Sequence, residues 1–303
     1  MKKIIALALA AIMVCSLAAC GSNSGTETKG ETKATNAETK NETQTESKAD
    51  ETQAPETAAT ETTEADEATG AQSETGEASA DNGGKLIMAT EAGFAPYEYT
   101  EDGETVIGVD VDIANEIAKA MGRELEIQNM SFDGALMAVQ QGKVDFAAAG
   151  ISVNEDRKKN MDFSIEYATS KQVVVVNGST ERVKSVDELN GDLMIGVQTG
   201  NVADAYCDDQ GWTNKRQYNK FMEAALDLQN DKIDCIIMDS LPAEQLVAQN
   251  PDLKILDGEV FTDKYAIAVQ KGNTELLEQI DAVLQKLMDE GKIDEYTINH
   301  TTK

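Results

Sequence analysis

Two residues in this chain could hold opposite charges on one small molecule, Arg157 and Asp239. Arg157 lies three residues past Asn154, a good N-cap residue, so it falls in the first turn of a helix. The helix dipole disfavours a cation there by about 0.3–1 kcal/mol, and Glu155 and Asp156 offset that cost. One reading is an ordinary exposed arginine. The other is an anion site, where free backbone N–H groups and the guanidinium fork converge on one carboxylate or phosphate. Asp239 ends the apolar run Cys235–Met238 and would offer a carboxylate to a cation.

The elements that must position these residues repeat along the chain. Ser131 to Tyr167 reads as a helix, a strand over Val144–Ala149, a loop through Gly150 and Ser152, and a second helix start at Asn154. Phe221 to Asp239 aligns with Phe132 to Gly150 without a gap, matching Phe132 with Phe221, Gln140 with Gln229, Lys143 with Lys232 and Asp145 with Asp234. An earlier echo pairs Gly84–Gly93 with Gly191–Gly200. Each half is therefore expected to be an α/β unit with polar loops at the carboxyl ends of its strands, where open α/β sheets bind ligands. Facing halves would set Glu91–Phe94 and Gly150–Arg157 opposite Thr199–Val202 and Asp239 across a cleft.

The segments GKLIMATEAGFAPYEY, VIGVDVDIANEIAKAMG, MSFDGALMAVQQGKVDFAAAGISVNEDRKKNMDFSIEY and MIGVQTGN resemble the extracellular solute-binding proteins (family 3) of polar amino-acid ABC transporters, in the right order from Lys85 onward. The resemblance implies an α/β, two-lobed, periplasmic-binding-protein-like (type II) fold with a hinge and an interlobe cleft. Residues 85–170 and 266–303 would form the first lobe and 171–265 the second. The chain crosses between them at Glu166–Val173 and Val260–Ala266. Within that resemblance Phe94 and Phe132 are similar to the aromatic walls of the ligand. The Gly150 carbonyl, the Ser152 hydroxyl and the Asp239 carboxylate would take the α-ammonium. Arg157 would grip the α-carboxylate, with backbone N–H groups near Ser152 and Val202. The family's Gly-Thr-Thr after the glutamine is here Thr199, Gly200, Asn201 and Val202, which keeps a backbone donor but loses a hydroxyl. Glu91 stands where the family often carries an acid for the distal end of the ligand. On residue type alone Phe132 also fits a core position, and Glu91 also fits a solvent-facing acid.

The chain begins with a short basic region, Met1–Lys3, and an apolar stretch, Ile4–Leu17, ending Leu17-Ala18-Ala19-Cys20. That layout is a secretory signal, too short for a resident span. It resembles the bacterial lipoprotein box, implying removal of residues 1–19 and a diacylglycerol on Cys20. Residues 21–84 are mostly Thr, Glu, Ala, Ser, Gly and Lys, with no tryptophan, tyrosine, phenylalanine, leucine, isoleucine or valine, and with Cys20 they make up the 20–84 segment. Such a segment cannot offset its ordering entropy and reads as a tether with an end-to-end distance of about 45 Å.

Past the tether, 40 carboxylates face 20 basic residues, out of a formal net charge of −29. An acidic surface does not suit nucleic acid, nor adsorption to anionic lipid, so the lipid would hold the protein at the membrane. There is no GxxxxGK[ST] loop. His300 is the only histidine and stands in a polar tail, without a serine pairing or spaced metal ligands. Asp110 and Asp112 read as solvated or capping groups of a helix over Ile113–Met121, since no EF-hand spacing accompanies them. Cys207 and Cys235 leave a disulfide and two free thiols open. Thr274 is expected to cap a helix running to Glu290, with Gly291 ending it.

The expectation is therefore a monomeric, lipid-anchored extracytoplasmic receptor with no cofactor or metal. It would take a polar amino acid, basic or amide-tipped, by hinge closure and pass it to an ABC permease with its ATPase. The alternatives are a same-fold enzyme of cyclohexadienyl dehydratase type, which usually tolerates loss of the amino-group acid, and a surface lipoprotein outside transport.

Overall fold

The computed structural model describes residues 84–180 and 182–301. The signal, lipid-site and tether readings fall on residues outside this range. The chain runs through β1 (Lys85–Thr90), buried over Met88–Thr90, the hairpin β2 (Tyr99–Thr100) and β3 (Val106–Ile107), and α1 (Val109–Ala120). It continues with β4 (Glu124–Asn129), α2 (Phe132–Gln140), β5 (Phe146–Ala147), the single turn α3 (Glu155–Lys158) and β6 (Met161–Phe163). The long strand β7 (Ala168–Asn177) leads to β8 (Ile195–Gln198), α4 (Val202–Asp209), β9 (Lys215–Tyr218), α5 (Phe221–Gln229), β10 (Cys235–Asp239) and α6 (Ser240–Gln249). The chain ends with β11 (Leu253–Ile255), β12 (Phe261–Tyr265), β13 (Ala268–Gln270), α7 (Thr274–Asp289) and α8 (Lys292–Thr301).

One sheet has the order β4-β1-β5-β13-β6 and the other β11-β7-β10-β8-β9, with β12 alongside β7. In the first, β4, β1 and β5 are parallel and β13 joins antiparallel. In the second, β9, β8 and β10 are parallel and β7 joins antiparallel. The two sheets thus share one plan, flanked by helices. This is the two-lobed periplasmic-binding-protein-like architecture that the sequence predicts.

The repeat is visible in the backbone. The helices α2 and α5 each have nine residues and share four buried positions, Phe132, Ala135, Leu136 and Val139 in one, Phe221, Ala224, Ala225 and Leu228 in the other, while Ala138 is buried and its counterpart Asp227 is not. Each then turns through a left-handed residue, Gly142 (φ 64°) or Asp231 (φ 55°). The strand expected over Val144–Ala149 is shorter, because only Phe146 and Ala147 pair on both sides before the chain bends toward Gly150. Antiparallel β7 and β12 pair from Tyr265↔Ala168 to Phe261↔Gln172, so the outgoing and returning segments lie side by side.

Three local expectations change. The cap of α7 is Asn273, whose side chain accepts from the Leu276 N–H at 3.4 Å, one residue before Thr274. The helix α1 starts at Val109, so Asp110 lies within its first turn and is fully buried. His300 sits in α8, with Nε2 2.9 Å from Asp112 and Nδ1 3.1 Å from the Tyr99 hydroxyl. Cys207 and Cys235 are both free and buried.

Candidate functional site

The carboxyl ends of β1, β5, β8 and β10 converge with the paired strands β7 and β12. Asn154 caps α3 by accepting from the Arg157 N–H at 2.8 Å, which fixes the turn that carries Arg157. The arginine does not point to solvent. Its side chain folds back, Nη1 donating to the Ser152 carbonyl at 2.5 Å and Nη2 to the Gly200 carbonyl at 2.9 Å. The guanidinium carbon lies 5.3 Å from the centre of the Phe132 ring, a cation–π distance. Phe132 is therefore both a core residue of α2 and the platform under the cation. Burial draws the Arg157 guanidinium down to about 10, and Asp263 and Asp239 oppose that shift. Two of the five guanidinium donors go to these carbonyls, and an anion can take others.

Asp239 ends β10 fully within the protein. It accepts from the Tyr265 hydroxyl and lies beside the side chains of Gln172 and Ser170. Burial first, then the charge of Asp263, pushes its carboxyl above the usual range. Asp263 accepts from the Ser152 hydroxyl, and burial raises its carboxyl too. The alternation in β7 and β12 explains this floor. Residues two apart share a face of a strand, and the register sets Asp263 against Ser170 and Phe261 against Gln172.

Gly150 is the repeat counterpart of Asp239. It has φ +54°, and a Cβ there would stand 2.7 Å from Cε1 of Phe94, so only glycine fits under that ring. Phe94 stacks on Phe221 with centroids 6.0 Å apart, an aromatic contact between residues of the two halves. Ser152 is tied to the return strand by a bridge to Tyr265, and the Val153 N–H donates to the Lys264 carbonyl at 3.1 Å.

On the other side of the cleft the side chains have local work. Asn201 caps α4 through the Asp204 N–H at 2.8 Å, and the Thr199 hydroxyl donates to the Tyr218 carbonyl at 3.2 Å. Val202 opens α4. Glu91 is 1% exposed and takes a hydrogen bond from Gln198 Nε2 at 3.0 Å, so it is not a solvent-facing acid. Burial pushes its carboxyl up to about 7 despite Lys220, whose Nζ lies 3.8 Å away. Glu91 borders a cavity of about 340 Å³ that Asn129, Ser131, Asn219 and Lys220 also line. A separate cavity of about 170 Å³, lined by Gly93, Phe221, Met238 and Gln245 among others, does not touch Arg157 or Ser152.

The structure joins Arg157 to Phe132, Ser152 and Gly200, sets Gly150 against Phe94, Glu91 against Gln198 and Asp239 against Tyr265, and leaves Thr199 and Asn201 in local bonds at the start of α4. Sequence reasoning missed Asp263, Tyr265, Ser170 and Gln172. The alternation Phe261, Asp263, Tyr265 in a returning segment was the signal available for two of them.

Comparison with known proteins identifies the family and agrees with the fold. The sequence profile of bacterial extracellular solute-binding proteins, family 3, matches residues 86–301. The arginine-binding extracellular protein ArtP of Bacillus subtilis is 30% identical over 69% of this chain and 83% of its own length. The amino acid ABC transporter substrate-binding protein AbpA of Streptococcus pneumoniae, solved bound to L-arginine, is 34% identical. It covers 73% of this chain and 95% of that one, with a TM-score of 0.68. An ancestral arginine-binding protein solved bound to glutamine is also 34% identical over 73% of this chain and 99% of that one, with a TM-score of 0.67. The profile spans both sheets and the helices around them, and the chain belongs to the bacterial extracellular solute-binding proteins, family 3.

Proposed function

We propose that the chain is the substrate-binding component of an amino-acid ABC importer, a binding protein and not an enzyme. One observation carries the reading: a buried guanidinium from the first sheet's side and a buried carboxylate from the second lie close enough to influence each other electrostatically. A free amino acid is a zwitterion, and its carboxylate suits Arg157 while its ammonium suits Asp239, Ser152 and the Gly150 carbonyl. The Val202 and Ser152 backbone N–H groups would help Arg157, with Thr199 and Asn201 shaping the rim. Phe94 and Phe132 would wall the side chain.

Glu91 would set the preference at the distal end. Its ionised form favours a basic tip, and its amide neighbour Gln198 suits an amide. The relatives solved with arginine and glutamine fit that class.

Residues 85–170 with 266–303, and 171–265, would move as two lobes about the β7–β12 crossing. Ligand would shift the population toward the closed form that a permease recognises. Residues 1–19 would be a lipoprotein signal and Cys20 the lipid site, with residues 20–84 as the tether. The protein would work as a monomer outside the cytoplasmic membrane.

A thermal-shift screen of the full chain against the twenty protein amino acids tests the ligand class, because binding to the native state alone raises the midpoint. A midpoint unmoved by all of them would remove the amino-acid reading. Glutamate binding tightest would remove Glu91 as the selector. Cys20→Ser should release the protein from membranes or block its processing, and a processed, membrane-bound variant would remove the anchor.

A further inference from the structure

The residue whose conformation the cleft depends on most, Gly150, is held by a side chain from outside the site. Its neighbours are fixed by backbone pairing: the Ala148 N–H donates to the Ala89 carbonyl at 3.2 Å, and the Ile151 carbonyl accepts from the Ala266 N–H at 3.1 Å. Between these two pairings the Gly150 N–H goes to Oδ2 of Asp110 at 2.9 Å. The other oxygen, Oδ1, accepts from the Tyr167 hydroxyl at 2.6 Å. Asp110 is in the first turn of α1, has no exposed surface, and makes no cap bond there. A buried carboxylate costs several kcal/mol unless its oxygens are satisfied. Here they are satisfied by the peptide entering Gly150, by Tyr167, and by Glu98, which is buried and hydrogen-bonded to Asp110.

We propose that Asp110, with Glu98 as its proton donor, is a positioning residue of the ligand cleft. It pins the left-handed Gly150 backbone beneath Phe94, and with it the carbonyl assigned above to the ligand ammonium. This inference rests on the amino-acid-binding reading. Two adjacent buried carboxyls cannot both ionise cheaply. Glu98 is faced by Asp110, Glu91 and Asp239, and burial together with these acids holds its carboxyl well above the usual range. Of the pair Glu98 holds a proton more readily, while burial lifts Asp110 only to about 6, and the Gly150 N–H and Tyr167 O–H both donate to Asp110 as to a carboxylate. A charged acceptor makes the stronger bond to a backbone N–H. The same charge adds negative potential behind Gly150, on the side where a cation would bind.

The test uses the full chain, calorimetry with the amino acid that binds tightest in the twenty-member screen, and the Gly150 amide resonance. Asp110→Asn puts an amide where an acceptor pair is needed, and affinity should fall at least about tenfold. The Gly150 amide proton should move upfield as its charged acceptor is lost. Glu98→Gln keeps a neutral donor to Asp110, and both affinity and resonance should stay near wild type. Glu98→Leu removes the donor, and affinity should fall. A folded Asp110→Asn variant that binds as wild type, or keeps the Gly150 resonance, overturns the proposal. If Asp110→Asn does not fold, unchanged affinity in Glu98→Leu overturns it. If wild type binds no amino acid, the functional reading fails, and the Gly150 resonance in Asp110→Asn still decides the contact.

Discussion

The unit from Phe132 to Gly150 and its counterpart from Phe221 to Asp239 share everything that packing requires. Their helices have equal length and bury matching positions. Asp145 accepts from the Ile87 N–H at 2.7 Å, and its counterpart Asp234 accepts from the Met194 N–H at 2.8 Å. Each of these acids also meets an arginine, Arg123 at 3.5 Å or Arg182 at 2.8 Å. The units differ in the length of their strands, Phe146–Ala147 against Cys235–Asp239, and most in chemistry at their last residue. Gly150 lies under an aromatic ring with a left-handed backbone, while Asp239 projects a buried carboxylate. The repeat keeps the scaffold alike and lets the chemistry differ where the strand ends, because that position carries no packing duty common to both halves.

The largest effects should come from Asp239, where the units differ, and from Arg157, just past the end of the first unit. Arg157→Ala and Asp239→Ala would each leave an opposite ligand charge buried and unpaired, a loss of about 2–5 kcal/mol. Calorimetry on the full chain should show affinity reduced at least tenfold with the fold retained. Unchanged affinity in either variant would take that residue out of the site. The shared positions come next. Asp145→Ala and Asp234→Ala each strip a backbone N–H and an arginine of a partner, which should cost stability about 1–3 kcal/mol apiece. Urea titrations in which one substitution is costly and the other silent would show that the two units do not use the motif alike.

A smaller effect separates Glu91 from its repeat counterpart Gln198, and it depends on pH. Burial raises the folded carboxyl of Glu91 from 4.5 to about 7. A raised carboxyl binds its proton more tightly in the folded state. Its contribution to stability is therefore full below pH 4.5 and is lost as pH rises through about 7. Ligand preference should run the other way, because only the ionised form attracts a basic tip. Arginine should gain on glutamine by up to roughly tenfold between pH 6 and pH 8. Both trends should flatten in Glu91→Gln, and a persistent slope there would assign them to another group.

The smallest effect tests the turn. Asp231 holds the left-handed conformation that its counterpart Gly142 adopts without steric cost. Asp231→Gly should raise stability by about 0.5 kcal/mol. A lower thermal midpoint would mean that the aspartate side chain outweighs the strain.

The repeat is legible because core spacing and turn residues constrain sequence directly. Phe132 and Phe221, Asp145 and Asp234, and the gap-free alignment between them mark two like units by residue type and spacing alone. The family pattern also points to Arg157 and Asp239. The cost of placing Arg157 in a first helical turn leaves its burial open, and it is decided by carbonyls at Ser152 and Gly200, the second far away in sequence. Glu91 is open in the same way, until Gln198 from the other half closes over it. Alternation marks Asp263 and Tyr265 as sharing a strand face but not what they meet, and Ser170 and Gln172 carry no such mark, because the pairing register of β7 and β12 is not specified locally.

By itself, then, the sequence determined two α/β units, the place of their helices and turns to within a few residues, and the charge types at the strand ends. These follow from periodicity, capping and glycine conformation, all of which act within a few residues. Tertiary structure alone decided that Asp110 is a buried acceptor for Gly150 and not a solvated helix-start acid. It also decided that Glu98 lies against Asp110, and that Asp263 lies near enough to Asp239 to raise its carboxyl. The ionisation of a carboxyl depends on its burial and on neighbours brought in from distant segments, and neither is written in the residues beside it.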